Sequence, residues 1–204
     1  TILLAGGAKP ARINANPTGV ELIWKAFELR PDPVPARDPG GEYLTRVWRD
    51  SVYPLAARLG ITMRLPPVQP RSRRAHEAAK WAQTQNQFDA YNEALFRAFF
   101  ERGEDIGNID VLAQLASKLD LDESSLRAAL GSKQFERMVL ADEEEATELG
   151  VHAVPAFVAD RRFALTGVQP LAALEQMVDR AAHLLARTRK DERIIFSIHT
   201  QNTD

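Results

Sequence analysis

The chain has 204 residues, 45% of them hydrophobic and 26% charged, with a formal net charge of -2. That is enough chain to bury a core unaided, as one large domain or two small ones. No basic field favours nucleic acid, and no acidic block suggests a solvating tail. No apolar run approaches the roughly 18 residues of a membrane span. The opening "TILLAGGAKPAR" lacks the positive region and length of a secretion signal, which leaves the cytoplasm as the default expectation. Cysteine is absent, so disulfides, thiolate nucleophiles and cysteine-ligated metals are all excluded for these residues.

In chain order, "VELIWKAFEL" (Val20 to Leu29) reads as a strand. Val20, Leu22, Trp24 and Ala26 fall on one face, with Glu28 next in register. "RPDPVPARDPGG" (Arg30 to Gly41) holds four prolines and two glycines and reads as a loop. Glu42 to Gly60 has helical spacing that Pro54 must kink or divide. After a proline-rich link, Arg71 to Gly103 reads as two helices carrying Trp81, Phe88, Tyr91, Phe96 and Phe99 as core residues. Asn108 or Asp110, then Asp122, then Ser132 are candidate caps for three further helices, the last ending at Gly150.

Beyond Gly150 the period changes. Ala156 to Ala159 and Phe163 to Thr166 read as a hairpin around Asp160-Arg161-Arg162. Leu171 to Arg187 is an amphipathic helix, with Pro170 at its start and a stripe of Leu171, Leu174, Val178, Ala181 and Leu185. From Thr188 the chain is polar apart from Ile194 to Ile198, and is expected to be a loose tail. A strand separated from a hairpin by more than 100 residues of helix describes a sheet domain interrupted by a helical insertion.

"FELRPD" (Phe27 to Asp32), "RRAHEAAKWA" (Arg73 to Ala82), "LFRAFFERGEDIGNIDVLAQLA" (Leu95 to Ala116) and "ADEEEATELGVHAVPAFVADRRFALTGVQP" (Ala141 to Pro170) carry a family likeness. They resemble the DsbA-like thioredoxin-fold oxidoreductases, in particular the FrnE-like branch near the 2-hydroxychromene-2-carboxylate isomerases and kappa-class glutathione transferases. The resemblance implies an α/β fold, a thioredoxin-like sheet with an inserted all-helical domain. It divides the chain into a thioredoxin-like part (1–41 and 150–187), a helical insertion (42–149) and a C-terminal tail (188–204). It also implies a role for Pro155, as a cis proline facing the active-site helix. The backbone of Val154, flanked by Ala153 and His152, would pair with an extended peptide or with glutathione. From composition alone an ordinary trans bond is the expectation, because cis accounts for only about 5–6% of X-Pro bonds.

One departure governs the functional reading. The resemblance calls for Cys-x-x-Cys at a helix N-terminus opposite Pro155, where the helix dipole lowers a thiol pKa. In this chain the first strand and active-site helix are altered or missing. Either Ile2-Leu3-Leu4-Ala5 falls near the redox motif and no first strand remains, or "TILLA" is a surviving strand and the helix is shortened. No serine precedes Ser51 to stand in for the thiol. Thiol–disulfide exchange requires a thiolate, so the family activity is expected to be lost, with no catalytic residue assignable. The alternative is a non-catalytic module that binds peptide or glutathione at the proline groove.

The remaining candidates have plainer readings. His76, His152, His183 and His199 are too scattered for a metal site. His152 is the one placed to offer a ligand a polar contact, against the simpler reading of an exposed loop residue. The acidic run Asp142-Glu143-Glu144-Glu145 is expected on a solvated helix face, and Arg71, Arg73 and Arg74 as surface or helix-start charges.

Overall fold

The structure is a computed structural model and describes residues 20–188 and 194–200. Its sheet has four strands in the order β1-β4-β2-β3, where β1 is Val20–Ala26, β2 Ala156–Ala159, β3 Phe163–Thr166 and β4 Ile194–Thr200. β4 runs parallel to β1, with Val20 opposite Ile194, and antiparallel to β2, with Ala156 opposite His199. β2 and β3 form the expected hairpin. At its turn Asp160 and Arg161 both have positive φ, the geometry that lets two short strands double back.

The segment expected to be a loose tail is therefore the strand at the centre of the sheet. Phe196-Ser197-Ile198-His199 alternates as a strand does, but the run is short and polar surroundings hide it. Phe196 and Ile198 pack on α8 (Leu171–Thr188) through Leu174, Met177 and Ala181, together with Phe157 and Ala159. Ser197 and His199 occupy the opposite face, and both are buried. A polar pair on the second buried face, after the charged run from Arg187 to Arg193, reads in sequence as surface.

β1 ends three residues earlier than its apolar run. Phe27 leaves the ladder to pack against Ala146, Val151, Ala156 and Val158, and Glu28 turns into an ion pair with Arg73. Val20, Leu22 and Trp24 do share the face that meets α8.

Between β1 and β2 lies the helical insertion. Its first part is α1 (Glu42–Val47), a π-helical turn (Trp48–Val52) and α2 (Tyr53–Leu59). Pro54 lies in the first turn of α2, where its missing N–H disturbs the helical ladder least, and the π turn precedes it. Gly60 ends α2 in the left-handed region, at φ 66°.

α3 (Arg73–Thr84), α4 (Phe88–Phe96), α5 (Ile109–Ser117) and α6 (Glu123–Gly131) surround one apolar cluster. Trp81, Tyr91, Phe96 and Phe99 are buried. Phe88 is partly buried against the same cluster, its ring 6.2 Å from that of Trp24. The polar atoms of this core are matched: Tyr91 Oη donates to the Leu112 carbonyl (2.8 Å) and Trp81 Nε1 to Ser125 Oγ (3.3 Å).

Asn108 caps α5 by accepting from the Asp110 N–H, and Asp122 caps α6 by accepting from Ser124 and Ser125. Ser132 does not cap the next helix. It closes α6, its hydroxyl donating back to the Ala128 carbonyl, and α7 (Glu136–Glu148) begins after Phe135 with no side-chain cap.

Because β4 takes part in two of the sheet's three ladders, its loss is expected to cost more than the loss of an edge strand. Phe196→Ala, at a fully buried position, should destabilise the protein by about 3–5 kcal/mol. Urea unfolding is the measurement, and amide exchange of residues 195–199 should be among the slowest in the chain.

Candidate functional site

The polypeptide enters β2 through Gly150-Val151-His152-Ala153-Val154-Pro155. Val151 anchors one end, with its side chain buried and its N–H donating to the Ala146 carbonyl at 2.8 Å. At the other end the Pro155 carbonyl accepts from Gly167 N–H at 2.8 Å, which ties the loop to the end of the hairpin. Gly150 has φ 69°, the left-handed conformation that lets α7 stop and the chain reverse. The Val154–Pro155 peptide bond is cis, and so is Asp32–Pro33 in the loop after β1.

Between these anchors His152 and Ala153 are exposed, and Val154 and Pro155 are half-buried. Among the described residues the backbones of His152, Ala153 and Val154 make no hydrogen bond. The sheet register puts Ala156 beside His199, so the carboxyl end of β4 is the part of the sheet next to Pro155. The sequence reading looked for the partner of Pro155 in the N-terminal segment, which lies outside the described residues. Among the described residues, the topology brings the end of β4 to Pro155. Ligands of open α/β sheets gather at the carboxyl ends of parallel strands, and here those are the ends of β1 and β4.

Beneath this edge lies a buried charge network that the sequence reading missed. Asp142 is 5% exposed. Its carboxylate accepts from Lys25 Nζ (3.1 Å), Lys80 Nζ (2.5 Å) and the Ala26 N–H (2.9 Å). Lys25 also reaches Glu145 at 2.8 Å, and Arg161 of the hairpin turn pairs with Glu145 and Glu148. The supposed solvated acidic face is thus the surface by which α7 grips the sheet and α3. Burial opposes the charge on Lys25, but Glu145 and Asp142 outweigh it and hold its pKa above the ordinary lysine value.

Arg73 and Arg74 begin α3, as helix-start charges would, and the three arginines have different surroundings. Arg71 donates to the Arg30 and Val34 carbonyls, both at 2.6 Å, and pairs with Asp32. Arg73 bridges Glu28 (2.7 Å) and Glu143 (3.3 Å). Arg74 alone remains at the exposed rim, donating to the Gly107 carbonyl.

Two histidines are enclosed by the same network. His199 is fully buried and its Nδ1 has no partner, while Nε2 lies 3.5 Å from Ser197 Oγ. Burial holds its pKa below the ordinary value, against Glu145 and Asp142. His76 is buried too, and burial lowers its pKa to about 4, although the Phe27 backbone opposes the shift. No group of His, Asp and Glu among the described residues has the arrangement of a metal site. No helix there is long and apolar enough to cross a membrane.

A mixed sheet of this order, with a helical insertion before the proline-led hairpin, is the architecture of the thioredoxin-like proteins. The chain belongs to the DSBA-like thioredoxin domain family, whose model matches residues 8–179. β4 lies beyond the matched residues. The chain is 35% identical over 148 residues to the uncharacterized protein YwbO of Bacillus subtilis, covering 68% of this chain and 72% of that protein. It is also similar to the crystal structure of a probable DsbA oxidoreductase from Streptomyces coelicolor. The TM-score is 0.63 at 25% identity, over 83% of this chain and 76% of that one.

Two consequences are measurable. Asp142→Ala leaves Lys25 and Lys80 without their shared carboxylate and should cost about 3–5 kcal/mol of stability in urea unfolding. His76 has its folded pKa lowered from 6.5 to about 4. The folded state therefore binds fewer protons than the unfolded chain in that interval. Its contribution is fully present above pH 6.5 and is lost as pH falls toward 4. His76→Gln should show a shallower acid limb in a pH series of the same unfolding experiment.

Proposed function

We propose that the Ala153–Pro155 loop, with His152 at its rim, is a binding edge for an extended peptide, and that these 204 residues act there as a non-catalytic thioredoxin-fold module. The free backbone of Val154 carries this reading. It offers an N–H and a carbonyl just before the inner strand β2, where an extended peptide can make β-type backbone pairs. Val168 follows Gly167, which is bonded to Pro155, and is 38% exposed. An apolar peptide side chain therefore has a surface to lie on beside the loop. Glutathione, the other ligand implied by the family resemblance, carries two carboxylates. The cations described nearest in sequence, Arg161 and Arg162, stand at the far turn of the hairpin, with Arg161 already paired to Glu145 and Glu148.

The oxidoreductase name of the Streptomyces coelicolor relative sets the competing reading, an enzyme of thiol–disulfide exchange. That reaction begins with attack by a thiolate and passes through a mixed disulfide. These 204 residues contain no cysteine to supply either sulfur.

Binding is expected to be weak. Two backbone hydrogen bonds contribute about 0.5–1.5 kcal/mol each, and there is no covalent capture to add to them. In a titration followed by amide shifts, extended apolar peptides at millimolar concentration should move Ala153, Val154 and Ala156 before other residues, and glutathione should move them less. Unmoved amides in an intact fold would remove the binding reading. In insulin reduction with dithiothreitol, the same chain should not exceed the uncatalysed rate, and turnover above it would restore the enzyme reading.

A further inference from the structure

Where β1 runs out, the seam between sheet and helices holds two carboxyls for one cation. Arg73 on α3 donates through Nε to Glu28 Oε1 (2.7 Å), and through Nη2 to Glu28 Oε2 (3.4 Å) and Glu143 Oε2 (3.3 Å). Glu28 is buried and Glu143 is 18% exposed. Oε1 of Glu143 is itself buried with no partner. The neighbouring charges give Glu143 no second cation. Asp142 on the same helix already engages Lys25 and Lys80. Glu77 on α3 and Glu136 on α7 add negative charge toward Arg73, and burial favours the neutral form of His76.

We propose that the carboxyl of Glu143 is a proton-operated clamp: protonated, it lets α7 close on the Arg73–Glu28 pair, and ionised, it loosens α7 and with it the loop that carries Val154 and Pro155. The connection is short on both sides. Phe27, adjacent to Glu28, packs in one small cluster with Ala146 of α7 and with Val151 and Ala156, the residues that bracket the loop. The Val151 N–H, bonded to Ala146, ties the end of α7 to the start of that loop.

Burial raises the Glu143 pKa to about 7; Arg73 opposes it, the Glu28 carboxylate adds to it, and a hydrogen bond from the Glu28 backbone opposes it. The closed seam thus holds a proton that a solvated carboxyl, near 4.5, has given up. Opening becomes easier as pH rises from 4.5 toward 7, by up to about tenfold per pH unit, and levels off above that. The buried histidines act oppositely in the acid range, so the test must isolate Glu143.

The experiment is hydrogen exchange at the Val151 amide, corrected for the intrinsic rate, in the unmodified protein and in Glu143→Gln across pH 5 to 8. The amide side chain of Gln keeps the uncharged form, and the histidine contribution is common to both proteins. The ratio of their opening constants should climb with pH, by up to about tenfold per unit below 7, then flatten. A ratio that stays level across the range would overturn the clamp. Glu28→Gln is the second arm. It removes the competing carboxylate and leaves Arg73 to Glu143, so the Glu143 midpoint, read from side-chain carboxyl shifts, should fall. An unchanged midpoint would show that the two acids do not share the guanidinium, and would equally overturn the proposal. This inference refines the binding reading by giving that edge a control, yet the exchange measurement uses no ligand. A climbing ratio beside a loop that takes no peptide would remove the binding reading and leave the clamp standing.

Discussion

The architecture depends on one strand being held from both sides. β4 completes a parallel ladder with β1 and an antiparallel ladder with β2. Without it those two strands have no common neighbour, and the hairpin would be separated from the strand that precedes the helical insertion. β4 also divides the core in two. Phe196 and Ile198 seal the side of α8, and Ser197 and His199 face the other way among charged groups. The consequence is a sheet with one dry face against α8 and a second face on which the buried Ser197 and His199 lie beside the apolar Ala156 and Val158.

The polar face explains how the helical insertion is fixed to the sheet. An apolar contact there would be non-directional, whereas Asp142 accepts from three donors on two elements and so specifies where α7 sits relative to β1 and α3. A buried carboxylate with two lysines gains little stability over a packed apolar contact, because desolvation offsets most of the attraction. Its effect is on register. Asp142 bonds the Ala26 N–H at the last residue of β1, and shifting α7 by one residue would break that bond and both ion pairs together.

The sequence exposed the local elements well and the long-range pairings poorly, for physical reasons visible at particular residues. The hairpin at Ala156 to Thr166, the caps at Asn108 and Asp122 and the aromatic core around Tyr91 follow from period, turn chemistry and side-chain volume. Those signals lie within a few residues of the structure they specify. Asp142 and Arg73 could not be placed in that way. Their spacing on a helix is what a solvated face would show, and only the fold brings Lys25 and Glu28 across more than 40 residues to meet them. β4 failed for a different reason: Phe196-Ser197-Ile198-His199 does alternate as a strand should, but the run is short and follows the charged stretch from Arg187 to Arg193. Pro155 lay between these cases: its place before a strand was legible, but the identity of the strand end beside it was not.

This division bears on function. The proline loop is built by features independent of sulfur: the turn at Gly150, the Val151 and Pro155 anchors, and the charge network behind β1 and β4. A thioredoxin-type sheet can therefore keep an edge that accepts an extended chain while the nucleophile is absent, because backbone pairing and thiolate chemistry draw on different atoms. The buried charges make the same point from the other side. Groups such as His199 and Glu143 are costly to hold without full partners, and they lie on β4 and α7, outside the aromatic core of the insertion. Unpartnered buried polar atoms also occur at Ser72, His76 and Glu77 at the start of α3, so the polar cost follows the seam between α3, α7 and the sheet, the part of the fold that charge holds together.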